Sequence, residues 1–375
     1  MQTERNRTID LFKGILILFV LIDHYPLDQS GIGMKLLFTF VLQFPVPCFM
    51  FLSGYVHAKS MERRGIQSFE EAYSFPLLAG KVLRFLIPYV LFFIAAQVFF
   101  RLSGMYTVGI VEYGLLALFF EFLTGGHGPG SYYVPLLFQL IFLFPVVYAI
   151  VVKKGKRGLA ILFAANVAYE VLKQAFSMNE VEYRLLIFRY LFLIACGCYA
   201  AVWETRQQRP RNDLSQKRQQ GLQSAPQPKG DPQQDRFPSP VHLGISFVVG
   251  VAFIVLFCFT GYAQRAKIFT MWSNTCVLTA LYLIPILWIL VRKVHFSFAP
   301  LEILGKYSFH VFLVQTLYYQ YYDFALSAKF SKGIGLVVTF AVCVLLGVAF
   351  GFVEEKLGLR EKILSALRGK KKELE

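Results

Sequence analysis

The chain has 375 residues, of which 56% are hydrophobic and only 16% charged, and its formal net charge is +15. Soluble domains average about 25% charged residues, so this composition excludes an ordinary soluble enzyme. Several long apolar runs make it a polytopic membrane protein. The positive balance does not indicate a nucleic-acid binder, because Lys and Arg concentrate in the loops and tails between apolar runs and no basic-aromatic module accompanies them.

In chain order, Arg5 and Arg7 precede the first apolar run, which places the N-terminus in the cytoplasm. No small-residue cleavage site follows that run, so it reads as span one, about 9–25, and not as a removable signal peptide. Span two, about 35–57, contains Pro45 and Pro47, which are expected to kink it. The polar segment 58–83 carries Lys59, Arg63, Arg64 and Lys81 and reads as cytoplasmic; span three follows over about 84–102. The apolar run 111–123 is short for a span. Span four, about 132–152, ends at Lys153-Lys154-Gly155-Lys156-Arg157, which belongs inside. The run 111–123 must therefore enter and leave on the outer side, as a re-entrant or interfacial helix.

Spans five and six are expected at about 159–175 and 184–203. Residues 204–240 are rich in Gln, Pro, Arg and Lys and nearly free of apolar residues, the composition of a disordered linker. Spans seven to ten are expected at about 241–262, 271–291, 302–322 and 334–354, closed by a basic amphipathic tail over 355–375. The fold class is thus an all-α integral membrane protein with about ten transmembrane helices and one outer re-entrant or interfacial helix. Its organisation is a membrane domain split into 1–203 and 241–354 by the linker 204–240, with both termini cytoplasmic. The six cysteines lie in or beside apolar runs, with no Cys/His spacing that would build a metal site.

Span one carries Asp10, Lys13, Asp23 and His24. Ionisable groups at membrane depth are costly and mark functional sites. Lys13 and His24 are eleven residues apart, close to three helical turns, so they share a face about 16 Å apart along the axis. Asp10, Ile17 and Val20 fall on that face too. A neutral imidazole is the usual general base near neutral pH, which makes His24 the leading candidate. Asp10 and Lys13, at i and i+3, can pair. Asp23 points about 100° away and cannot orient His24.

Four further motifs follow. Phe44-Pro45-Val46-Pro47 leads into Phe51-Leu52-Ser53-Gly54-Tyr55, where Ser53-Gly54 permits close helix packing. Lys81-Val82-Leu83-Arg84 precedes Ile87-Pro88-Tyr89, with Arg84 at the inner boundary. Ser131-Tyr132-Tyr133 opens span four, and Leu304-Gly305-Lys306-Tyr307-Ser308 opens span nine. With the basic residue, ten others and His of Lys13–His24, these motifs in this order resemble the membrane-bound acyltransferase-3 family over about residues 5–320. Many members carry His where Gln315 stands here.

That resemblance implies transfer of an acyl group, expected to be acetyl, from cytoplasmic acyl-coenzyme A to a hydroxyl of a cell-envelope or exported glycan. The implied roles are His24 as general base, Asp10 orienting Lys13, Lys13 and Arg84 as contacts to donor phosphates, and Glu121 and Tyr133 as substrate-binding residues. Partners are then the cell membrane, acyl-coenzyme A as donor (acetyl-coenzyme A the expected form) and the acceptor, with no metal and no nucleic acid. The alternative is a transporter or flippase of a glycan or small metabolite, in which Lys13 and His24 line a polar path.

Overall fold

The computed structural model describes residues 7–26, 44–66, 68–105, 114–219, 248, 297–326, 329 and 331–374. Every regular element among them is helical. Helix α1 is Arg7–His24, α2 Pro45–Arg63, α3 Phe69–Ala72 and α4 Phe75–Leu102. Helix α5 is Leu115–Thr124, α6 Tyr133–Lys154, α7 Lys156–Ala175 and α8 Glu180–Leu185. After a 3₁₀ turn at Ile187–Tyr190 comes α9, Leu191–Gln219. Helix α10 is Ala299–Lys306 and α11 Ser308–Tyr321, with a π-helical turn at Tyr322–Leu326; α12 is Lys332–Leu357 and α13 Leu359–Leu374. Expected spans seven and eight lie outside the described residues.

Four helical stretches are long and apolar enough to cross a membrane: 69–102, 133–154, 187–207 and 332–367. Helix α1 falls short by composition, because Arg7, Asp10, Lys13 and Asp23 all lie within its 18 residues. Expected span nine is broken at Tyr307 into α10 and α11. The run expected as an outer helix forms the ten-residue α5. Pro45 and Pro47 fall in the opening turn of the described α2, where a missing N–H costs nothing; the part of expected span two before residue 44 lies outside the described residues, and with it the expected kink. Helical backbone also continues through Gln219, well past the expected linker start at 204.

The bundle is drawn together by glycines. At the crossing of α1 with α10, a Cβ on Gly305 would overlap the Asp10 carbonyl, and one on Gly14 would overlap the Leu301 carbonyl. Only hydrogen at both positions lets the two backbones touch. Helices α2 and α9 meet the same way, Gly54 against Ile194 and Gly197 against Phe51. The buried Leu16, Ile17, Val20 and Leu21 of α1 join Met50 and Leu52 of α2, Leu136 and Leu140 of α6, and Ile194 of α9 in one core. This packing fixes α1 in the middle of the described bundle, with α2, α10, α11 and α12 around it.

Candidate active site

A cavity of about 510 Å³ runs along α1. Asp10, Lys13, Ile17 and Val20 all line it, so the face expected from helical spacing is the face that α1 turns to the cavity. Arg84 from α4 and Tyr133 from α6 line it as well. The crossing at Gly14 and Gly305 brings Lys306 and Tyr307 to the same N-terminal end of α1 as Asp10 and Lys13.

The cavity also holds residues that were not expected there. His57 of α2 and His310 of α11 both line it. His57 Nδ1 donates to the Ser53 carbonyl at 2.9 Å. His310 Nε2 lies 3.6 Å from a Glu354 carboxylate oxygen on α12. Glu355 is held by Lys306 Nζ at 2.5 Å and by the Tyr307 hydroxyl at 2.6 Å. Arg360 of α13 also lines the cavity. No sequence signal places Glu354, Glu355 or Arg360 beside Lys13, because about 340 residues separate them along the chain.

His24 sits one turn beyond Val20, past the cavity's far end. Its Nδ1 is 2.9 Å from the Val20 carbonyl. A carbonyl only accepts, so Nδ1 carries the hydrogen of this contact, and in the neutral ring Nε2 is then the acceptor. That nitrogen faces Gly130: a Cβ there would lie 3.2 Å from it and 3.3 Å from Cε2 of Phe312, a cavity-lining residue. The Phe312 and Tyr133 rings pack edge-to-face at 5.1 Å. The C-terminal end of α1 is anchored by the Tyr319 hydroxyl, which donates to the Leu21 carbonyl, and by the Tyr25 hydroxyl, which donates to the Lys332 carbonyl at 2.7 Å.

The loop over His24 is rich in glycine, and Gly125, Gly126, Gly128 and Gly130 all have positive φ. Gln315 fixes this loop. It is fully buried, and its Nε2 donates to the Pro129 carbonyl at 3.1 Å. At this position, where a second histidine was the family expectation, the side chain therefore holds the loop that covers His24.

Glu121 lies outside the cavity lining. One oxygen accepts from Gln97 Nε2 at 2.6 Å and the other lies 3.1 Å from His127 Nε2. The α5 end is tied to α4 by the Tyr89 hydroxyl, which donates to the Phe122 carbonyl at 2.6 Å. Three residues after His127 comes Gly130, so this polar cluster and His24 are joined through one loop. Among the described residues no group of three or more His, Cys, Asp or Glu could hold a metal ion.

An all-helical membrane bundle with a charged-mouthed cavity along its first helix defines the class. The family comparison then assigns it: the acyltransferase-3 model, described as an acyltransferase domain, matches residues 6–353, and the chain belongs to that family. No curated protein and no solved structure matches the chain.

Proposed function

We propose that this protein is a membrane O-acyltransferase that moves an acyl group, acetyl in the expected case, from cytoplasmic acyl-coenzyme A to a hydroxyl of a cell-envelope or exported glycan. The observation that supports the reading is the 2.9 Å contact of His24 Nδ1 with the Val20 carbonyl, which in a neutral ring leaves Nε2 as the acceptor. In this reading Nε2 takes the acceptor's hydroxyl proton, the oxygen adds to the thioester carbonyl, and the C–S bond breaks. The leaving thiolate takes the proton back from the imidazolium.

Lys13 and Arg84 hold donor phosphate at the inner mouth, and Asp10 orients Lys13. From there the long pantetheine arm follows Ile17 and Val20 towards His24. Tyr133 and Glu121 are assigned to the acceptor. The chain crosses the bilayer about ten times, with α5 returning to the outer side and both termini in the cytoplasm, on the strength of its basic loops.

The test is acyl-coenzyme A turnover by purified protein with candidate glycan acceptors. Removing a general base typically costs about 10² to 10⁴ in rate. His24→Gln is expected to lose transfer at that scale while donor binding and protein level stay normal. Near-normal transfer by folded His24→Gln would exclude the base role and favour a transport function.

A further inference from the structure

The inner rim of the cavity contains one cation that lies beyond the family match, which ends at residue 353. Gly358, at φ +58°, ends α12 and turns the chain into α13. Arg360, two residues on, swings back across the rim, and its Nη2 donates to the Gly80 carbonyl at the start of α4 at 3.2 Å. The guanidinium thus lines the cavity alongside Lys13, Arg84 and Lys306.

Two features distinguish Arg360 from an ordinary surface arginine. Its Nε is buried and has no hydrogen-bond partner among the described residues. A buried donor on a permanently charged group calls for an acceptor. Two of the lining carboxylates have other partners: Glu355 is taken by Lys306 and Tyr307, and Glu354 lies 3.6 Å from His310; Glu354 feels the Arg360 charge, and neither it nor Glu361 forms an ion pair with Arg360 among the described residues. The position therefore suits an anion that arrives with the ligand, and a guanidinium fork matches phosphate geometry.

We propose that Arg360 binds a phosphate group of the acyl donor, so that the C-terminal helix completes the donor site. This rests on the acyl-coenzyme A reading above. The Gly80 contact fixes the guanidinium against α4, and Nε remains available to the phosphate. The segment after residue 353 then contributes to the binding machinery through Arg360 and is not only a surface tail.

The test compares coenzyme A with S-acetyl-pantetheine, which has the same thiol arm and no phosphate. Affinities are measured by calorimetry on the purified full-length protein in detergent. Arg360→Gln is expected to weaken coenzyme A binding on the order of tenfold, one lost charge-assisted hydrogen bond, with S-acetyl-pantetheine affinity unchanged. Arg360→Lys should recover part of the loss, and it carries the same comparison if Arg360→Gln does not fold. Unchanged coenzyme A affinity in Arg360→Gln, or an equal loss for both ligands, overturns the proposal and leaves Arg360 as a structural tie to Gly80. A wild-type protein that ignores coenzyme A overturns the donor reading itself. Repeating the series with added phosphatidylglycerol separates the two phosphate sources: dependence on Arg360 for the lipid alone assigns the phosphate to a headgroup and removes it from the donor.

Discussion

Gly130 stands directly against the imidazole of His24, so close that a methyl group at 130 would sit 3.2 Å from Nε2. The neighbouring carbonyl of Pro129 is held by Gln315, which leaves the loop little room to retreat. Gly130 also has φ +83°, a conformation that costs a residue with a Cβ about 1 to 2 kcal/mol. Gly130→Ala is therefore expected to lower turnover about tenfold or more, by displacing the ring or the acceptor beside it. Coenzyme A affinity should be unchanged, because Lys13 and the charged mouth lie at the other end of α1. Steady-state kinetics and calorimetry on one preparation would check both halves.

Gln315→Leu removes the hydrogen bond that pins the same loop. Leaving the Pro129 carbonyl unpaired is expected to cost about 1 to 3 kcal/mol of stability. Turnover should fall with it, while Gln315→His, which keeps a donor, should retain more of both. Thermal unfolding and transfer assays on the two variants check this.

The crossing of α1 and α10 should tolerate no side chain at Gly305, since the overlap is with backbone at Asp10 and not with a movable group. Gly305→Ala is expected to destabilise the protein by about 1 to 3 kcal/mol and to disturb Asp10 and Lys13. Gly333→Ala, in the first turn of α12 with nothing within 4 Å of the new methyl, serves as the control and should be neutral or slightly stabilising. A thermal melt of the two variants side by side decides it.

Lys13→Ala and Arg84→Ala should each weaken coenzyme A binding by about 1 to 3 kcal/mol, the scale of a charge-assisted hydrogen bond. A variant that binds normally and loses only turnover would move that residue from phosphate recognition to the chemistry.

Orientation can be tested by cysteine labelling in intact cells. In the proposed topology His127→Cys should react with a membrane-impermeant reagent from outside, and Lys154→Cys should not, because basic loops are as a rule retained in the cytoplasm. Equal outside labelling of both would reject the proposed topology.

Much of α1 was legible from sequence. A period of 3.6 residues alone put Asp10, Lys13, Ile17 and Val20 on one face, and those four side chains line the cavity. The helical class followed from apolar runs too long and too uniform for strands, and the family from five motifs in order, because each of these properties is local along the chain. Tertiary structure alone decided which groups meet that face. His57, His310, Glu354, Glu355 and Arg360 reach it from four other helices, and glycine contacts at Gly14 and Gly305 set how closely one of the crossings is made. Helical periodicity specifies a direction around one axis. It carries no information about which distant helix lies in that direction, so the partners of Lys13 and the loop over His24 existed only once the bundle had packed.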